Sequence, residues 1–220
     1  DREHVYVNED GSVRLTSKLK RDILRSCIYG VDIDEQAVEV TRMSLSLKAL
    51  EDTLHDELYD EVNLYQEKVL PDLKGNVKCG NSLIDREQLR AHNMFGDDDI
   101  TPFDWETEFD KIFHSKNNSK DEIYNNKPVG KGFDCIIGNP PYIRIQEMQA
   151  WTPKTVELYK NIYESGKSKN YDIYVIFIER ILSLINHDGL LGFILPNKYM
   201  QQEYGETIRR IISDGKHVSS

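Results

Sequence analysis

A chain of 220 residues with 39% hydrophobic and 30% charged content suits a single domain with a sizeable core. No apolar run is long enough to span a bilayer, and the N-terminus, Asp1-Arg-Glu-His, lacks signal-peptide character, so a cytoplasmic setting is expected. A net charge of −10 argues against general phosphate affinity, and three cysteines with six scattered histidines, lacking any Cys-x-x-Cys or His-x-x-x-His pair, exclude a disulfide framework and a zinc site.

In chain order, Arg14 to Arg25, with Lys18, Lys20 and Arg21 between, reads as a solvated helix face. Cys27 to Val31 predicts a short buried strand. Asp34 then caps a helix whose apolar stripe, Val40, Met43, Leu47 and Leu50, steps by three and four. Acidic stretches at Glu51 to Glu67 and Gly96 to Asp110 read as solvated surface. Val77 to Gly80 is a second strand. A long polar insert, Asp85 to Lys131, is mostly loop, with Phe103, Trp105 and Phe109 packing one part of it down.

Phe133 to Gly138 is a buried third strand, followed by a helix around Tyr171, Tyr174, Ile178, Ile181 and Ile185 that Asp188-Gly189 ends. Leu190 to Leu195 is a fourth strand, stopped by Pro196, and Glu203 to Ser213 is helical. Cys27, Cys79 and Cys135 each fall in an apparent strand and read as small buried hydrophobes. Alternation of this kind predicts an α/β fold, a mostly parallel doubly wound sheet with helices on both faces.

The turn Asn139-Pro140-Pro141-Tyr142 follows the third strand directly. Asn offers a carbonyl acceptor, each Pro lacks an N–H, and Tyr offers a flat face. That combination suits a planar amino group, such as the exocyclic NH₂ of a flipped base; the plainer alternative is a turn after a strand. Ligands of doubly wound sheets sit beyond the carboxyl ends of the strands. Asp32, Asn81 and Asn139 each follow a strand there, and Asp32 stands where nucleotide cofactors have their ribose hydroxyls held, unless it only assists Asp34 in starting the helix.

Phe133 to Tyr142 resembles the catalytic motif of amino-methyltransferases, and the flanking sequence resembles the N6-adenine DNA methyltransferases of bacterial restriction-modification systems. Ile28-Tyr-Gly-Val-Asp-Ile-Asp34 resembles their cofactor-ribose motif and Cys79-Gly-Asn-Ser-Leu-Ile84 their adenine-side motif. Phe103-Asp-Trp105, with Phe109, resembles the lead-in of enzymes that combine restriction and methylation, and Leu190 to Tyr199 a later strand and turn.

The resemblance implies a Rossmann-like fold and transfer of methyl from S-adenosylmethionine to adenine N6 in double-stranded DNA. Asp32, Ile33, Asn81 and Ser82 would hold the cofactor. Asn139, Pro140, Pro141 and Tyr142 would hold the flipped adenine; no metal is implied. Relatives often carry Asp where this chain has Asn81. The Gly-rich loop after the first strand is missing, so the resemblance implies a partial catalytic domain over residues 1–220, incomplete at its N-terminus. An upstream cofactor loop and a downstream target-recognition domain would lie in the rest of the parent chain, and the fragment alone would be inactive. Three alternatives stand beside this: cytosine N4 methylation, methylation of a protein glutamine, and a non-catalytic binding module. Cytosine carbon-5 chemistry is excluded, since no cysteine follows a proline.

Overall fold

The computed structural model describes residues 5–7, 11–51, 70–92, 100–114 and 132–214, and the backbone of two short strands near residue 125. It divides into two compact units, Asp1–Ser82 and Leu83–Ser220.

The first unit opens with an antiparallel ribbon of β1 (Val5–Val7) and β2 (Val13–Leu15). Helix α1 (Ser17–Cys27) starts where the Thr16 side chain accepts the Leu19 N–H. Its C-terminal carbonyls are satisfied by Asn76, whose Nδ2 donates to Leu24 and Arg25 and to Ile28 beyond, at 3.3, 2.9 and 2.9 Å. Strand β3 (Gly30–Asp32) pairs in parallel with β4 (Val77–Cys79), Gly30 opposite Val77 and Asp32 opposite Cys79. Between them runs α2 (Glu35–Leu50), capped by Asp34 as expected and fastened to β4 by Arg42, whose guanidinium donates twice to the Val77 carbonyl.

Three expectations fail in this unit. Cys27 ends α1 rather than opening a strand, because Asn76 extends the helix by binding its last carbonyls. The buried face of α2 carries Val38, Ser46 and Ala49, whereas Val40, Met43 and Leu47 are exposed. The cause is Arg42: turning its guanidinium to β4 turns the apolar stripe outward. Arg21, expected on a solvated face, is 2% exposed and bonded to Ser17.

The second unit begins with α3 (Arg86–Ala91), whose capping box joins Asp85 to Gln88. Two single-turn helices, α4 (Trp105–Glu108) and α5 (Asp110–Phe113), follow, and then a minimal ribbon of β5 (Ile123–Tyr124) and β6 (Lys127–Pro128). Much of the insert is therefore structured where it is described, and the rings of Phe103, Trp105 and Phe109 pack as expected, meeting Phe133 at the start of β7 (Phe133–Gly138). Residues 52–69 and 93–99, which hold most of the acidic stretches, lie outside the described residues, as does the Ser115 to Lys120 segment. Gly132 leads into β7 at φ 118°, where a Cβ would sit 2.6 Å from the Leu184 carbonyl oxygen.

Helices α6 (Ile145–Trp151), α7 (Pro153–Ile162) and α8 (Tyr174–Leu184) build the core, with Val156, Leu158, Tyr174 and Ile176 at most 1% exposed. Strand β8 (Ile185–Phe193) starts without a turn after α8, parallel to β7; Ile185 and Asp188-Gly189 thus belong to strand, not to helix. Ile185 completes a helical step from Ile181, yet opposite Phe133 it also completes a strand, and the pairing prevails. The last helix, α9 (Glu206–Asp214), buries Ile208.

The β7–β8 pair is covered on one face only. Leu191 and Phe193 pack against the core, while Cys135, Ile137, Leu190 and Ile194 are exposed. The strand and its Cys135 are not buried as expected, because no described residue covers that face; Cys27, at the end of α1, and Cys79, at the end of β4, are exposed as well. The fold is thus mixed helix and strand with one parallel pair in each unit, a pattern compatible with an α/β methyltransferase fold.

Candidate active site

Parallel pairing brings the carboxyl ends of β7 and β8 to the same edge of the second unit, and the Asn139–Tyr142 turn emerges there. The Ile194 N–H donates to the Gly138 carbonyl at 3.2 Å, which carries the pairing to the last residue before the turn. Tyr142 folds back: its hydroxyl lies 2.6 Å from Asn139 Oδ1 and 2.7 Å from the Ile194 carbonyl oxygen. Pro140 is buried, whereas Asn139, Pro141 and Tyr142 are exposed. The carboxamide oxygen has two lone pairs, so a bond from Tyr142 orients it without exhausting it.

The far side of the turn is also tied. Ile173 N–H donates to the Ile143 carbonyl and Ile145 N–H to the Tyr171 carbonyl, both at 2.9 Å, around a bridge of Arg144 with Asp172. The Tyr142 ring stands edge-to-face on Tyr174, centroids 6.3 Å apart and planes at 86°. Tyr174 is fully buried, and its hydroxyl meets that of Tyr204 at 2.9 Å. Burial, then the hydrogen bond it gives to Tyr204, hold its phenol protonated far above the ordinary range.

The first unit holds the other four residues at the carboxyl ends of β3 and β4. Gly80 N–H donates to the Asp32 carbonyl at 2.9 Å, and the Cys79 thiol to the Ile33 carbonyl at 3.4 Å, so Asp32 and Ile33 lie beside the segment leading to Asn81 and Ser82. Asp32 Oδ1 accepts the Asp34 N–H at 2.9 Å, while Asp34, not Asp32, caps α2. Ile33 is 70% exposed and Asn81 buried. Desolvation, followed by the carboxylates of Glu35, Asp32 and Asp34, raises the Cys79 thiol above its usual range, which marks this edge as electronegative. Among the described residues no group of three or more His, Cys, Asp or Glu side chains could hold a metal, and no helix is long and apolar enough to cross a membrane.

Residues 26–220 match the Eco57I restriction-modification methylase family. The chain belongs to that family. It is 32% identical over 218 residues to the type II restriction enzyme and methyltransferase RM.Eco57I of Escherichia coli, covering 99% of this chain and 18% of that relative. The type II methyltransferase M.PaeR7I of Pseudomonas aeruginosa is 35% identical over 41% of the chain and 15% of its own length. M.BstVI of Geobacillus stearothermophilus is 34% identical over 39% of the chain and 15% of its own length. The chain therefore spans less than a fifth of the relatives it matches.

Membership in the Eco57I restriction-modification methylase family agrees with the resemblance carried by Phe133 to Tyr142. Sequence reasoning missed the surroundings of the turn: the Ile194 carbonyl, Asp172, Tyr174 and Tyr204. Ile194 contributes backbone, which leaves no mark in the sequence. The tyrosines did leave one, a concentration at 171, 174, 199 and 204 that apolar periodicity alone does not require.

Proposed function

We propose that the chain is the catalytic part of a DNA methyltransferase, moving a methyl group from S-adenosylmethionine to adenine N6 in duplex DNA within a restriction-modification or related defence enzyme. The observation that supports it best is the Asn139–Tyr142 turn, an exposed carboxamide oriented by Tyr142 beside an exposed aromatic ring at a strand's carboxyl end. Residues 1–220 then form one partial catalytic domain, whose proposed fold is the mostly parallel, doubly wound Rossmann-like one.

The donor set of the first unit fits the cofactor. Asp32 Oδ2 has no hydrogen bond among the described residues, and the electronegative edge around Cys79 suits ribose hydroxyls and a sulfonium while disfavouring a phosphate. Asp32 accepts from the ribose hydroxyls, Ile33 lies against the cofactor adenine, Asn81 hydrogen-bonds that ring and Ser82 flanks it. When bound, S-adenosylmethionine supplies the methyl group on a sulfonium leaving group.

At the turn, Asn139 Oδ1 and the Pro140 carbonyl accept the two N6 hydrogens of an adenine flipped from the duplex, and Tyr142 stacks on its ring. Taking those hydrogens localises the nitrogen lone pair and stabilises the positive charge that develops there. As the N6–carbon bond forms, the carbon–sulfur bond breaks with its electron pair going to sulfur, and one N6 proton leaves to solvent. No strongly basic side chain is required.

The test is mass spectrometry of nucleosides from DNA treated with the full-length protein and isotope-labelled S-adenosylmethionine. Label in N6-methyldeoxyadenosine is expected. Label in N4-methyldeoxycytidine alone, or in no nucleoside at all, would overturn the assignment.

A further inference from the structure

Tyr142 is the one side chain of the turn that both bonds its neighbour and offers a face to a base, yet half of it is exposed, at 49%. A ring so placed needs a wall to keep its plane in one orientation. The wall is Tyr174, 0% exposed, held by a second edge-to-face contact with Tyr199 at 6.1 Å and by its own hydroxyl.

The direction of the hydroxyl chain follows from proton counting. Asp172, 9% exposed, is an acceptor; Tyr204 donates to its Oδ2 at 3.3 Å, so the Tyr204 oxygen accepts the Tyr174 proton across the 2.9 Å contact. Asp172 is in turn set by the backbone bridge to Arg144, two residues beyond Tyr142. A closed circuit results, running from the turn through Arg144, Asp172, Tyr204 and Tyr174 back to the Tyr142 ring. Burying the polar side chains of Tyr174 and Asp172 and half-burying that of Tyr204 to support one aromatic edge is costly if packing were all that was needed, since a Phe at 174 would fill the same space.

Resting on the adenine reading of the turn, we infer that Tyr174, anchored through Tyr204 to Asp172, is a positioning residue that sets the plane of Tyr142 for stacking on the substrate base. It touches no reacting atom. Its effect passes through Tyr142, so it governs how the flipped base is held rather than how tightly DNA binds.

The experiment compares the full-length protein with its Tyr174→Leu, Tyr174→Phe and Tyr204→Phe variants. One readout is independent of turnover: the fluorine NMR signal of 3-fluorotyrosine at Tyr142, assigned by its loss in Tyr142→Phe. The wild type is expected to give one sharp Tyr142 signal, and Tyr174→Leu a shifted, broadened one. Tyr174→Phe and Tyr204→Phe, which cut the same link, are expected to move it equally and by less. In methyl transfer, Tyr174→Leu lowers kcat about tenfold with KM for DNA within about twofold, and with 2-aminopurine at the target its complex is brighter because stacking quenches less. The Phe variants keep the core volume, so they report even where Tyr174→Leu fails to fold. A Tyr142 signal unmoved in all three variants, or losses that follow only the folded fraction, would overturn the proposal. A wild type that methylates no adenine defeats the functional reading instead, and the Tyr142 signal still decides whether Tyr174 positions that ring.

Discussion

Each of the two units carries its own set of candidate residues, and the two sets are built by different means. In the second unit the Asn139–Tyr142 turn is gripped by side chains and backbone on both flanks, over a core of fully buried residues such as Tyr174, Val175 and Ile176. In the first, Asp32 ends a three-residue strand and Ile33 follows it, both exposed and kept in place chiefly by main-chain bonds, an Asx turn and a helix cap. The difference makes the Asn139–Tyr142 turn the more preorganised of the two sets, which matters under the proposed function because about an ångström of misplacement at a reacting group costs roughly a hundredfold in rate.

Substitutions can break or sharpen that contrast. The largest effect is expected in the second unit: Phe109, 2% exposed and in contact with the rings of Phe103, Trp105 and Phe133, supports the start of β7, and Phe109→Ala should cost about 3–5 kcal/mol in urea denaturation. A loss under about 1 kcal/mol would mean the aromatic lead-in does not support the turn's strand. Next comes Asn76→Ala, which removes the amide that serves three carbonyls after α1; about 2 kcal/mol is expected in the same measurement. Asp34→Ala deletes the α2 cap and should cost about 1 kcal/mol, with little effect on the second unit. The smallest effect is reserved for Met43→Lys on the exposed stripe, within about 0.5 kcal/mol. A larger loss there would show that the stripe is covered in solution.

What the sequence revealed follows the same division. Phe133 to Gly138 was legible because a β-branched apolar run met two prolines, which end a strand by chemistry rather than context. Asp34 was legible because capping is local, and the Phe103, Trp105 and Phe109 packing because large rings have few other places to go. The face of α2 was not. Its apolar spacing points one way, but Arg42 binding to a carbonyl 35 residues away turns the helix the other. Nor was the start of β8, since Ile185 satisfies both periodicities and only pairing with Phe133 separates them. The supports of Tyr142 escaped for the same reason: the Asp172, Tyr174 and Tyr204 circuit joins residues whose proximity no local pattern encodes.

The central claim, that Asn139 accepts the amino hydrogens of the reacting base, is tested most directly by single-turnover methyl transfer with the full-length Asn139→Ala variant beside the wild type. Losing an acceptor to a group that gains charge predicts a fall of about a hundredfold in the rate of the chemical step, with DNA affinity nearly unchanged. Equal single-turnover rates in the two proteins would contradict it.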